Sequence, residues 1–216
     1  MTLIAIVLAG GRSSRFGEDK LAAALGDTSV LAATIKAVAP LADRVIVAGP
    51  SLPRALEGDV PIVLLPDARP FEGPLAALAA ILASLPGLPT PGPDAAAIVV
   101  GGDMPALVPA VLVRMLDVLD VEKSADAVIL GRPEAATGAA PGAPARRQVL
   151  PLAIRVQPGS CAAREAVEAG QRSLQALLDR IAAIELPAAH WLALDPDGRT
   201  LTDVDTRADL DRIKRA

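Results

Sequence analysis

Apolar runs without polar alternation recur along this chain and are the clearest pattern in its sequence. They occupy Leu3–Leu8, Arg44–Ala48, Pro61–Leu65, Ala95–Val100 and Gln148–Ile154. Continuous apolar runs of this length are typical of strands that are covered on both faces of a sheet. The pattern therefore predicts a buried and mainly parallel sheet.

Segments with helical periodicity lie between these runs. The first predicted helix extends through Leu31, Ile35 and Val38 to Pro40, with Thr28 or Ser29 as its N-cap. The other predicted helices are Leu75–Leu85 after Gly73-Pro74, Val108–Leu119, one through Leu177, Leu178 and Ile181, and a last one that Thr206 and Asp209 begin as a capping box. Repeated strand–helix units predict one α/β domain over residues 1–216, Rossmann-like, with three layers.

A glycine-rich loop with three cations directly follows the first strand. Gly10 and Gly11 allow a sharp turn whose backbone N–H groups can surround an anion, and Arg12, Arg15 and Lys20 follow within nine residues. The spacing fits neither the Walker loop nor the dinucleotide fingerprint. We predict a nucleoside triphosphate site here; the alternative is an ordinary strand-to-helix turn with solvated arginines.

Two aspartates follow predicted strands at the edge where open parallel sheets bind ligands. Asp103 comes after Gly101-Gly102, and Asp67 comes after Pro66. Carboxylate oxygens are ligands that Mg²⁺ prefers, so Asp103 is the candidate metal ligand. The alternatives are a helix N-cap for Asp103 and a turn-forming role for Asp67.

Three segments of the sequence resemble motifs of one family. Residues 8–20 fit the pattern L-A-G-G-x-S-x-R-x-G-x-D-K, Asp103-Met104-Pro105 fits D-x-P, and residues 203–210 are similar to N-x-N-T-P-E-D-L, with Asp205 in place of the second asparagine. Together they resemble the MobA-like nucleotidyltransferases, the family of the molybdenum cofactor guanylyltransferases.

The resemblance implies a nucleotidyltransferase fold and transfer of GMP from GTP to the phosphate of molybdopterin cofactor, with release of pyrophosphate. It implies that residues 1–105 mainly bind the nucleotide and residues 106–216 mainly bind the acceptor. The nucleotide-binding residues that it implies are Leu8, Ala9, Gly10, Gly11, Lys20, Asp67, Gly73 and Pro74. It assigns catalysis to Arg15, Lys20 and Asp103, and Mg²⁺ binding to Asp103 and Asp205.

Departures from the family pattern leave alternatives open. Ala48 stands where the family often has an asparagine near the nucleotide, whereas the Gly10-Gly11 pair favours GTP over CTP. A cytidylyltransferase for the same cofactor and an enzyme for another phosphorylated acceptor are the nearest alternatives. The third is a regulatory module that binds a nucleotide without catalysis; the presence of Arg15, Lys20 and Asp103 argues against it.

The second half carries arginines around a loop rich in glycine, alanine and proline, residues 131–145. Arg132, Arg146, Arg147 and Arg155 flank this loop and the strand after it. They are candidates to bind the phosphate of the acceptor, or else ordinary surface charges. His190 and Trp191 belong to no catalytic motif, and we interpret them as structural.

The composition limits the classes of partner that we expect for this protein. A net charge of −4 argues against a sequence-independent nucleic-acid binder, which would need a basic face. A single cysteine excludes an internal disulfide. The sequence shows no signal peptide and no membrane span, so we expect a cytoplasmic protein. Its product would pass to a molybdoenzyme or a cofactor chaperone.

Overall fold

The computed structural model describes residues 2–10, 16, 19–53, 56, 58–66, 72–85, 92, 94–133 and 147–215, which form an α/β fold. The strands are β1 (Leu3–Leu8), β2 (Ala24–Leu25), β3 (Thr28–Ser29), β4 (Arg44–Ala48), β5 (Ile62–Leu65), β6 (Ala96–Gly101), β7 (Ala127–Leu130), β8 (Leu152–Arg155) and β9 (Ala183–Leu186). The α-helices are α1 (Val30–Val38), α2 (Pro74–Ser84), α3 (Pro109–Val121), α4 (Val156–Glu168), α5 (Leu174–Leu178), α6 (Ala188–Trp191) and α7 (Arg207–Arg215).

Seven strands form the central sheet in the order β5-β4-β1-β6-β8-β7-β9, and β2 pairs with β3 in a separate small hairpin. Strand β8 runs antiparallel to both of its neighbours, and the other neighbouring pairs in the sheet are parallel. The prediction of a mainly parallel sheet is confirmed.

Helices cover both faces of this sheet. Alternate residues of a strand point to opposite faces. Val7 accordingly packs in the hydrophobic cluster that contains residues of α1 and α3, whereas Ile6 packs in the cluster that contains residues of α2, α4 and α5. Nearly all of the core is aliphatic, and Trp191 is its largest fully buried side chain. The predicted three layers are confirmed.

The first predicted helix ends earlier than its periodicity indicated. Helix α1 stops at Val38, and a 3₁₀ turn, Ala39–Leu41, follows. Proline lacks a backbone N–H and cannot continue the helical ladder, which explains the change at Pro40. Of the two predicted caps, Ser29 is the one used, because its side chain accepts a hydrogen bond from the Ala32 backbone at 3.2 Å.

The predicted strand Gln148–Ile154 is wrong in its first half, because β8 begins only at Leu152. The Gln148 side chain donates a hydrogen bond to the Leu150 carbonyl at 2.8 Å. Pro151, which lacks an N–H, then interrupts the run. The helix predicted through Ile181 also ends early, at Leu178. Residues 147–150 instead line the cavity described below.

Candidate active site

The site lies at the carboxyl ends of β1 and β6, where the strand order reverses. From β1 the chain continues outward to β4 and β5, then returns to place β6 on the other side of β1. Open α/β sheets bind ligands in the crevice at such a point. Leu8 and Gly101 are paired across the two strands, so the predicted nucleotide loop and the segment of Asp103 start side by side.

The described start of the nucleotide loop is fixed by backbone hydrogen bonds to both neighbouring strands. The Ala9 N–H donates to the Ala48 carbonyl at 2.7 Å, and the Gly102 N–H donates to the Leu8 carbonyl at 2.9 Å. Leu8 and Ala9 are buried, whereas Gly10 is exposed. Gly11 and Arg15, which were predicted to complete the loop, lie outside the described residues, as does Asp67.

Asp103 occupies a tight turn directly after β6. A Cβ added at Gly101 would lie 2.5 Å from Asp103 Oδ1, so a larger residue at position 101 would require the carboxylate to shift from its present position. The N-cap alternative for Asp103 is wrong, because α3 begins at Pro109 and its N-cap residue is Val108. The Asp103 carboxylate is therefore left for other partners.

Lys20 lies between two carboxylates. Its Nζ is 2.7 Å from Asp103 Oδ2 and 2.8 Å from Asp205 Oδ1. Burial by itself would lower the pKa of Lys20. The hydrogen bonds to Asp103 and Asp205, together with their negative charges, outweigh that effect and raise the pKa above its ordinary value. The lysine is fully charged at neutral pH.

Backbone pairing explains why two distant aspartates meet this lysine. The Val204 N–H donates to the Asp103 carbonyl at 2.8 Å and holds the segment 203–205 against the turn after β6. Val204 itself is fully buried in a small cluster with Phe16, Val30 and Leu210. Helix α7 then begins at the predicted capping box, in which Thr206 and Asp209 exchange hydrogen bonds.

Asp203 is a site residue that the sequence analysis did not single out. It lines the same cavity as Asp103. Burial raises the pKa of Asp203, and the charges of Asp205 and Asp103 raise it further, against the opposing effects of a backbone hydrogen bond and of Lys20. The sequence could have indicated Asp203, because it lies two residues before Asp205 and alternate residues of an extended segment share one side.

The carboxylates of Asp103 and Asp205 lie on either side of the Lys20 ammonium. Carboxylate oxygens are ligands that a hard divalent cation prefers, so the two residues suit such a cation. Among the residues that the structure describes, no group of three or more His, Cys, Asp or Glu side chains is arranged to hold a metal ion. A complete protein cage is thus absent from that part of the chain. Mg²⁺ does not need one, because it is typically bound by one or two carboxylates together with substrate phosphates and water.

A cavity of about 580 Å³ extends from Asp103 toward the second half of the chain. Its lining combines carboxylates, arginines and apolar side chains: Gly73, Pro74, Asp103, Met104, Arg147, Gln148, Val149, Leu150, Arg172, Ser173, Leu174, Gln175 and Asp203. Gly73 has φ +94°, and a Cβ there would lie 2.7 Å from the Arg172 carbonyl oxygen. Glycine at position 73 therefore lets the start of α2 and the Arg172 segment meet.

The four arginines of the second half have different surroundings. Arg147 lines the cavity and lies 3.8 Å from Asp179, and Arg132 donates to the Gln148 side chain. Arg146 lies outside the described residues. The acceptor-site interpretation is wrong for Arg155, because antiparallel β8 carries it to the amino end of β6, where its guanidinium donates to the Leu119 and Ala125 carbonyls.

The structural interpretation of Trp191 agrees with its environment. Its ring is fully buried, and its Nε1–H donates to the Gly131 carbonyl at 3.0 Å. His190 beside it is exposed.

Within the described residues, no helix is both long and apolar enough to cross a membrane.

The sequence model of the MobA-like NTP transferase domain matches residues 5–186. The chain belongs to this family. A probable molybdenum cofactor guanylyltransferase from Chloroflexus aggregans is 28% identical over 221 residues, which cover 99% of this chain and 94% of that protein. Asp203 and Asp205 lie beyond the matched domain, so their place in the site rests on the geometry above.

Solved structures of related fold cover almost the whole chain. Molybdopterin-guanine dinucleotide biosynthesis protein A from Archaeoglobus fulgidus has a TM-score of 0.70 at 17% identity, covering 98% of this chain and 97% of its own. A 2-C-methyl-D-erythritol 4-phosphate cytidylyltransferase from Francisella tularensis has a TM-score of 0.69 at 15% identity, covering 100% and 99%. These similarities establish the nucleotidyltransferase fold.

Proposed function

We propose that this NTP transferase moves GMP from GTP to the phosphate of molybdopterin cofactor and releases pyrophosphate. The observation that carries the proposal is the position of Lys20 between Asp103 and Asp205 at the crevice of the sheet. A cation and two carboxylates at this point provide charges of both signs for a metal–triphosphate complex. The guanylyltransferase named among the relatives supports the choice of substrates.

The nucleotide is assigned to the crevice beside β1. Backbone groups of Leu8, Ala9 and Gly10 lie at its edge, and Gly73 and Pro74 open α2 on the cavity side. Base recognition would rest on backbone groups, because the buried Ala48 offers no polar side chain. We also assign Gly11, Arg15 and Asp67 to the nucleotide site, and for these residues the assignment rests on the sequence resemblance alone.

Asp103 and Asp205 are the residues that would hold Mg²⁺. A bound Mg²⁺ would neutralise phosphate charge and polarise the phosphoryl group. Lys20 would then exchange its carboxylate partners for phosphate oxygens and stabilise the negative charge that develops on pyrophosphate. Phosphate oxygens are also negatively charged, so they would favour the protonated ammonium in place of the two carboxylates.

The acceptor is assigned to the cavity that begins at Asp103. Arg147 and Arg172 provide positive charge on its wall, and Val149, Leu150 and Leu174 provide apolar surface for a ring system. An acceptor phosphate oxygen would attack the α-phosphorus of GTP, and the bond between that phosphorus and the pyrophosphate oxygen would break. No side-chain nucleophile takes part, so catalysis depends on positioning and charge neutralisation.

Cytidylyl transfer to the same cofactor is the second candidate. The Gly10-Gly11 pair argues against it, and Ala48, which offers no polar side chain for base recognition, weakens that objection. A different phosphorylated acceptor remains a further alternative within the same chemistry. We place the reaction in the cytoplasm, with a molybdoenzyme or a cofactor chaperone as the recipient of the product.

A competition assay tests the proposal. The four nucleoside triphosphates are supplied at equal concentration with molybdopterin cofactor and Mg²⁺, pyrophosphate release is followed, and the product is identified by mass spectrometry. We expect the guanine dinucleotide, because a hydrogen-bonding pocket rejects a base that leaves its polar groups unpaired. A cytosine product would overturn the GTP assignment, and no pyrophosphate release with any triphosphate would overturn the acceptor assignment.

A further inference from the structure

Thr34 is a fully buried polar residue in the middle of α1. Its Oγ1 lies 3.1 Å from the Val30 carbonyl oxygen and 3.1 Å from the Gly102 carbonyl oxygen. The hydroxyl has one hydrogen to donate to these two acceptors. In a regular helix the carbonyl of residue 30 already accepts from the amide of residue 34, so Gly102 is the acceptor with the greater need of this donor.

Gly102 precedes Asp103 and is tightly enclosed. A Cβ at this position would lie 3.1 Å from Leu31 Cδ1 and 3.2 Å from Ala9 Cα. Within the described ranges, no hydrogen bond to the Gly102 carbonyl other than that of Thr34 is found. A buried carbonyl that loses its donor is costly, and the chain then shifts to relieve it.

The same helix also holds the chain next to Lys20. In its first turn, the Leu31 N–H donates to the Leu21 carbonyl at 3.0 Å, and the Val30 N–H donates to the Ala23 carbonyl at 3.1 Å. Helix α1 thus contacts the lysine segment through its first turn and the aspartate turn through Thr34.

We propose that Thr34 is a positioning residue that fixes the Asp103 carboxylate relative to the Lys20 ammonium, acting through the Gly102 carbonyl. The hydroxyl touches no substrate in this arrangement. The contact of Thr34 with Gly102 supports the positioning role without any assumption about function. The expected effect of Thr34 on metal binding rests on the proposed function. Loss of the hydroxyl moves the turn after β6 and weakens the binding of a divalent cation at Asp103.

Three variants separate positioning from stability. Thr34→Val removes the hydroxyl and keeps the shape of the side chain, whereas Thr34→Ser keeps the hydroxyl. Thr200→Val is the matched control, because Thr200 is also fully buried and its hydroxyl accepts a backbone hydrogen bond, from Val108 at 3.2 Å.

The first measurement is amide hydrogen exchange in the segment 101–105, referred to the amides of β4 in the same protein. We expect exchange at Gly102 and Met104 to be about 10-fold faster in Thr34→Val, and unchanged relative to β4 in Thr34→Ser and Thr200→Val. Uniform acceleration across both segments would assign Thr34 to global stability and overturn the proposal.

The second measurement is Mn²⁺ binding in the presence of α,β-methylene GTP, followed by electron paramagnetic resonance. We expect the Kd for Mn²⁺ to rise about 10-fold in Thr34→Val and to return to the wild-type value in Thr34→Ser. Equal Kd values in all variants would overturn the proposed effect on the metal. A wild-type protein that binds no Mn²⁺ would contradict the proposed function instead, and the exchange rates would then decide the role of Thr34.

Discussion

A cation lies near each end of the central strand β6: Lys20 at its carboxyl end and Arg155, on β8, at its amino end. Lys20 contacts two carboxylates, at 2.7 and 2.8 Å. Arg155 donates to the backbone carbonyls of Leu119 and Ala125, at 2.6 and 2.9 Å. Side-chain ion pairs can exchange for a phosphate or a metal, whereas bonds to backbone carbonyls complete the fold. The comparison therefore separates a cation held by exchangeable side-chain ion pairs from a cation held by backbone carbonyls of the fold.

At the carboxyl end of β6, we expect Asp103→Asn to have the largest effect on pyrophosphate release. This change removes the charge and keeps the shape, so the proposed metal–phosphate complex would lose one of its two carboxylates. Pyrophosphate release should fall by about 10³-fold or more, while Tm stays within a few degrees of the wild-type value. Near-normal Mg²⁺-dependent turnover would remove Asp103 from the site.

A smaller effect is expected from Lys20→Ala. Loss of one charged contact in a water-poor site lowers kcat/KM by about 10²- to 10³-fold. Lys20→Arg should recover only part of the activity, because a planar guanidinium does not replace a compact ammonium between two carboxylates. Steady-state kinetics with GTP as the varied substrate measure both variants. Equal activity in all three proteins would show that the ion pairs of Lys20 have no catalytic role.

At the amino end of β6, we expect Arg155→Met to lower stability and to leave the kinetics unchanged. The long apolar side chain preserves packing but leaves the Leu119 and Ala125 carbonyls without their donor. The free energy of unfolding should fall by about 1–3 kcal/mol, with kcat and the KM values for both substrates unchanged below the new Tm. Denaturant titration and kinetics on the same preparation provide the measurement. A specific rise in the acceptor KM would restore Arg155 to the acceptor site.

Features that depend on local sequence were predictable. The buried run of β1 and the glycine that follows it predicted the crevice, and Asp103 was identified because it directly follows a predicted strand. The capping box of Thr206 and Asp209 was equally local, since its hydrogen bonds join residues three apart.

Features that depend on strand direction and packing were not predictable in this way. The interpretation of Arg155 was wrong because nothing in its neighbourhood shows that β8 runs antiparallel and ends at the opposite edge of the sheet. Thr34 was not singled out, since its contact with Gly102 joins residues 68 positions apart. Asp205 entered only through the family resemblance, and the cavity depends on segments that β8 and α5 bring together.

The ion pair of Lys20 and Asp205 joins residues 185 positions apart. During synthesis, the amino-terminal strands and α1 emerge early and can begin to pack, because domains form progressively as the chain lengthens. The second carboxylate is added only when ribosomes reach codon 205. Until then a nascent chain carries the lysine and Asp103 without their third partner. Partial translation products that end before position 205 consequently lack the complete charge arrangement around Lys20.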